Sequence, residues 1–116
     1  MIEVINRQRR HKVHAKRWRE FGAGALKVIG AADRDATIVF VSDAAIRKLN
    51  RQFRGKDSAT DVLSFPSQAE SFETDAETNL GEIAISLDRA QAQAKENGLT
   101  VVNEVQQLIL HGLLHL

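Results

Sequence analysis

The run ATIVFV at Ala36–Val41, followed without a break by SDAAIRKLNRQFRG at Ser42–Gly55, decides the fold class. Its β-branched and aromatic residues, with no charge among them, suit a strand buried in a sheet. Ser42 or Asp43 is placed to accept from the free amides of a helix start. Ile46, Leu49 and Phe53 then recur at helical spacing and are expected to face inward. Gly55 is expected to end this helix, because glycine enters left-handed backbone without a Cβ penalty. A strand that runs directly into a helix is the repeating unit of an α/β fold.

The same alternation continues outward in both directions. Towards the N-terminus, Ile2 to Ile5 reads as a short first strand, and Val13, Trp18, Phe21, Leu26 and Ile29 give helical spacing from Val13 to Ala31, weakened in its middle by Gly22 and Gly24. Towards the C-terminus, TDVLSF at Thr60–Phe65 is a third strand, stopped by Pro66, which cannot donate to a ladder and fits an edge or a strand end. Ser67 to Asn79 is polar, acidic and aperiodic, long enough to suggest a mobile or functional loop. LGEIAIS at Leu80–Ser86 is a fourth strand, Asp88 opens an Ala- and Gln-rich helix ending near Gly98, and Val101 to Leu116 forms a last helix. The expectation is one α/β (α+β) domain over residues 1–116, a mixed four-stranded sheet packed with helices.

Composition narrows the function classes. The chain has 116 residues and no cysteine, which removes any disulfide framework and leaves nitrogen and oxygen as the donors for a metal. No run of 18 apolar residues occurs and the start, MIEVINRQRR, lacks a signal-peptide core, so a cytoplasmic protein with no membrane partner is expected. A formal net charge of +1 conceals a division: residues 1–56 carry a net +9 and residues 57–116 a net −8. Arg7, Arg9, Arg10, Lys12, Lys16, Arg17 and Arg19 form one basic cluster, and Arg47, Lys48, Arg51, Arg54 and Lys56 a second. Such clusters gain affinity for nucleic acid by releasing its counterions. Aromatic stacking platforms are few, with Trp18 and phenylalanines alone available, which counts against a sequence-reading single-strand module.

The chemistry concentrates in the final six residues, HGLLHL. His111 and His115 lie four apart, about 40° around a helix and about 6 Å along it, so both rings can reach one ion. On a helical wheel Val101, Val105, Ile109, Gly112 and Leu116 share the apolar stripe, while Glu104, Leu108, His111 and His115 form the next one, so the histidines flank the core. The bland alternative is a chance pair bordering that core. A catalytic zinc site takes three protein ligands, and Glu104, roughly 10 Å before His111 along the axis, is too far to join both rings. Zinc peptidase helices read H-E-x-x-H with the Glu as general base; Gly112 stands in its place here, and a helix-interior glycine suggests something packed closely against it.

LNRQFRGKDSATDVLSFP, then LGEIAIS, then HGLLHL, in this order from Phe40 to the end, closely resemble the bacterial YbeY family of metal-dependent endoribonucleases and ribosomal RNA maturation factors. The resemblance implies a zincin-like metal hydrolase fold and a terminal motif H-G-x-L-H-L-x-G-Y-D-H whose three histidines bind zinc. His111 and His115 would be the first two ligands. The third would fall five residues beyond Leu116, so a C-terminally truncated form that binds metal poorly or not at all is expected.

The resemblance also implies a catalytic role for Arg54, in the R-G-K-D motif. A guanidinium can pair with two phosphate oxygens and stabilise charge developing at phosphorus. Arg51 and Lys56 beside it are candidate RNA contacts, Asp61 and Glu82 are general-base candidates by residue type, and Thr60 to Pro66 would form the rim strand of the cleft. The implied function is single-strand-specific cleavage in ribosomal RNA processing, with the small ribosomal subunit and assembly factors as partners. Alternatives are a non-catalytic ribosome-associated RNA-binding factor with a structural metal, and a zinc peptidase-like hydrolase.

Overall fold

The computed structural model of the chain describes residues 1–67 and 78–116, so the long acidic loop expected at 67–79 lies almost entirely outside the described residues. Strands β1 (Ile2–Asn6), β2 (Asp35–Val41), β3 (Val62–Pro66) and β4 (Asn79–Ser86) form a mixed sheet with the order β1-β2-β4-β3. β1, β2 and β4 are parallel, and β3 runs antiparallel to β4 at the edge. Helices α1 (Ala15–Val28), α2 (Asp43–Arg54), α3 (Leu87–Asn97) and α4 (Val101–Leu114) pack on the sheet. No helix among the described residues is long and apolar enough to cross a membrane.

Both faces of the central strands are covered, which is why ATIVFV is apolar throughout rather than alternating. Ala36, Ile38 and Phe40 of β2 join Ile83 and Ile85 of β4 in the main core with Trp18, Leu26, Ala90, Val105 and Ile109, from α1, α3 and α4. Val39, Val41 and Ala84 point the other way, to Leu63 and to Ile46 of α2. Two successive residues therefore serve two cores, as the period of two in a strand requires.

Helix boundaries follow their caps. The Ser42 side chain accepts from the Ala45 amide at 3.1 Å and Gly55 closes α2 at φ 68°. α3 begins at Leu87, one residue before the expected Asp88, because the Ser86 hydroxyl takes the capping role by accepting from the Arg89 amide at 3.2 Å. α1 begins at Ala15 and runs unbroken through both of its glycines; a Cβ on Gly22 would lie 2.9 Å from Ile2 Cγ1, so this glycine lets the helix approach β1 closely.

The core differs from the expected one at three helix ends. Phe53, expected inward, is 60% exposed: it sits in the last turn of α2 and packs edge to face on Phe65 of the edge strand, ring centroids 5.2 Å apart. Ile29 is the C-cap of α1 and partly exposed. Val101, in the first turn of α4, is 40% exposed, and the buried stripe is instead centred on Val105, Leu108, Ile109, Gly112 and Leu113. β3 begins at Val62 rather than Thr60, because the Asp61 carboxylate accepts from the Val62 amide at 2.8 Å.

Candidate functional site

The last turn of α4 is fixed to the sheet through the glycine between the two histidines. A Cβ on Gly112 would lie 2.8 Å from Ile83 Cγ2, so the absent side chain sets how near α4 can lie to β4. The close packing expected at this glycine is therefore present, and Ile83 is what packs there. The Ser64 hydroxyl of β3 donates to the Gly112 carbonyl at 3.0 Å, tying the same turn to the edge strand. His111 and His115 are both exposed, their ring centroids 4.4 Å apart and their planes inclined by 55°. Neither imidazole makes a side-chain hydrogen bond or ion pair among the described residues. Two free nitrogen donors so close together fit a divalent ion that favours imidazole. No group of three His, Cys, Asp or Glu residues able to hold a metal occurs among the described residues.

Arg54 closes α2, where a cation is favoured by the carbonyl end of the helix. The chain then turns on Gly55, and two contacts brace the turn. Arg47 donates from Nε and Nη2 to the two Asp57 oxygens at 2.9 and 3.2 Å, and the Asn50 amide donates to the Ser58 carbonyl at 2.9 Å. The hydrogen bond from Arg47, reinforced by its charge, holds the Asp57 carboxyl below the ordinary carboxylate range. The aspartate of R-G-K-D thus ties its loop back to α2 and leaves the Arg54 guanidinium exposed, with no ion pair among the described residues.

Arg54, His111 and His115 line one cleft of about 680 Å³, together with Phe53 and residues Val62 to Pro66. The guanidinium comes from the end of α2, the imidazoles from the end of α4, and β3 lines the cleft along its length, as expected of a rim strand. Arg51 and Lys56 are exposed but do not line it. Asp61 and His111 both line a smaller cavity of about 280 Å³, with Glu104, Gln107 and Leu108. Glu82 belongs elsewhere, to a cavity of about 350 Å³ on the α2 face of the sheet.

Three contributors are not evident in the sequence. Ser64 shares the pleat phase of Val62, so a hydroxyl facing α4 has to find a partner, and period-two alternation is the signal that could flag it. Phe53 and Phe65 are the others; that Phe53 falls at the very end of its helix is the available sign that it can emerge.

The sequence profile described as Endoribonuclease YbeY matches residues 3–116. The Endoribonuclease YbeY of Anaeromyxobacter sp. strain Fw109-5 is 40% identical over 115 residues, covering 99% of this chain and 58% of the relative. That of Thermus thermophilus is 38% identical over 116 residues, covering 100% of this chain and 83% of the relative. The chain therefore spans little more than half of the first of these relatives. The solution structure of TM1509 from Thermotoga maritima superposes with a TM-score of 0.67 at 27% identity, covering 99% of this chain and 71% of that one.

Proposed function

The chain belongs to the YbeY endoribonuclease family, and on that premise we propose that its cleft hydrolyses phosphodiester bonds of single-stranded RNA during ribosomal RNA processing. The observation that carries this reading is the meeting of Arg54 with the His111–His115 pair in one cleft. In this reading Arg54 pairs with two non-bridging oxygens of the scissile phosphate and stabilises the charge that develops there. His111 and His115 would be the nitrogen donors for a divalent ion, with zinc among the metals that imidazole suits. Such an ion, when bound, supplies Lewis acidity at the phosphate.

Of the two carboxylates considered for proton transfer, Asp61 is favoured because it shares a cavity with His111, whereas Glu82 lines the cavity on the other face of the sheet. Arg51 and Lys56, exposed around the end of α2, serve as flanking phosphate contacts. The small ribosomal subunit and its assembly factors in the cytoplasm are the proposed setting. The peptidase alternative is disfavoured by Gly112, because the position at which that chemistry places its Glu is buried against Ile83.

The test incubates the protein, in an excess of zinc that loads a weak two-histidine site or in chelator, with end-labelled single-stranded RNA and, separately, with casein, as wild type and Arg54→Ala. RNA cut by the wild type, and spared by chelator or by the variant, is the expected result. RNA that is bound but uncut with any divalent metal would instead indicate a non-catalytic binding factor.

A further inference from the structure

We propose that Phe53 is a stacking platform for a nucleobase of the bound RNA, and that the 350 Å³ cavity beside it receives that base. The proposal rests on the reading of the cleft as an RNA site. Phe53 is 60% exposed next to a charged cleft, so its edge-to-face contact with Phe65 leaves much of its ring surface open to a ligand. Its one ring neighbour among the described residues, Phe65, meets it edge to face at 73° between planes. Whichever ring offers its edge, at least one face of Phe53 stays clear of Phe65.

Phe53 and Phe65 line both the cleft that holds Arg54 and the histidines and the second cavity on the α2 face of the sheet, so the pair stands between the two. The second cavity is apolar over Val39, Val41, Leu49 and Ala84, with Arg7 and Glu82 as its charged groups. This combination suits a nucleobase: flat apolar faces for the rings and the sheet, and polar edges for a cation and a carboxylate. Arg54 and Phe53 line the same cleft, so a phosphate held by the guanidinium can bring its own or the adjoining base to the ring. Every base has a π-face, so the platform orders a single strand without reading its sequence.

The test measures equilibrium binding, in chelator to prevent cleavage, of a short end-labelled single-stranded RNA and of an abasic ribose-phosphate oligomer of equal length. The proteins are the wild type, Phe53→Ala, Phe53→Leu and Phe53→Trp. Wild type should prefer the RNA over the abasic oligomer by on the order of tenfold. Phe53→Ala and Phe53→Leu should lose that preference, the leucine variant despite keeping apolar bulk. Phe53→Trp should keep it, and its new exposed indole should be quenched by RNA and not by the abasic oligomer; the native Trp18 is buried, which shields its emission from contact quenching. Leucine that binds RNA as well as phenylalanine does, or an abasic oligomer bound as tightly as RNA, overturns the platform and leaves the nuclease reading standing. RNA that binds none of the four proteins overturns both.

Discussion

Replacing Gly112 by alanine tests whether the contact of α4 with β4 positions the histidines, and Gly24→Ala supplies the control. Both glycines lie inside helices, so each substitution brings the same intrinsic gain of about 1 kcal/mol in helix propensity. Their surroundings differ. A Cβ at position 24 meets nothing within 4 Å, whereas at position 112 it lies 2.8 Å from Ile83 Cγ2 and 3.1 Å from Cδ1. Ile83 is fully buried in a close-packed core, so relieving the overlap is expected to move α4 away from the sheet. Overpacking of this kind costs about 1–3 kcal/mol, which offsets or exceeds the propensity gain and leaves a net loss of up to about 2 kcal/mol.

Urea denaturation followed by the fluorescence of Trp18, the one tryptophan, reads both variants directly. Gly24→Ala should raise the midpoint and Gly112→Ala should not, the two free energies differing by about 1–3 kcal/mol. Moving α4 would also stretch the 3.0 Å bond from Ser64 to the Gly112 carbonyl and shift both imidazoles, so RNA cleavage by Gly112→Ala should fall in protein that is still fully folded. If Gly112→Ala is stabilised as much as Gly24→Ala and cuts RNA as the wild type does, the reasoning is refuted.

Three further outcomes are expected. The Asp88 carboxyl is held below its ordinary range, chiefly by the 2.8 Å hydrogen bond with His11 and also by the Asp43 amide and Arg10, so its contribution is complete above about pH 4 and disappears as pH falls through the lowered native value. Asp88→Asn should therefore cost about 1–2 kcal/mol at pH 6 and progressively less as the pH falls below about 4, as measured by denaturation across that range. Calorimetric zinc titration should show weak, chelator-reversible binding that either His111→Ala or His115→Ala abolishes; binding that survives both substitutions would place the ion elsewhere. Gly81, at φ 132° where a Cβ would run into the Phe65 carbonyl, should not accept alanine: a loss of about 3 kcal/mol in thermal denaturation is expected from strain and overlap together.

Much of this molecule can be read from local pattern. The four strands and four helices lie where periodicity and punctuation put them, because Ser42, Gly55, Pro66 and Gly98 act through backbone geometry that needs no tertiary partner. Strand order is a different matter. β3 follows α2 in the chain yet takes the outer place beyond β4, and nothing local to TDVLSFP records which strand it will meet. The histidine pair is legible because i and i+4 define one helix face, and Arg54 because its motif matches a family. Their meeting across β3 depends on the Ile83–Gly112 packing distance, a property of two elements together. Phe53 escapes for the same reason: helical spacing gives the side of α2 on which it lies, but not that a cavity separates this last turn from Val39, Val41 and Ala84 of the sheet.

The most direct test of the central claim is single-turnover cleavage of single-stranded RNA by Arg54→Ala beside the wild type, with RNA affinity measured in parallel. If the guanidinium faces the same phosphate as the histidine pair, the cleavage rate falls by about 10²–10³ while affinity weakens far less. Cleavage that persists at the wild-type rate, or that falls only in step with affinity, contradicts the account.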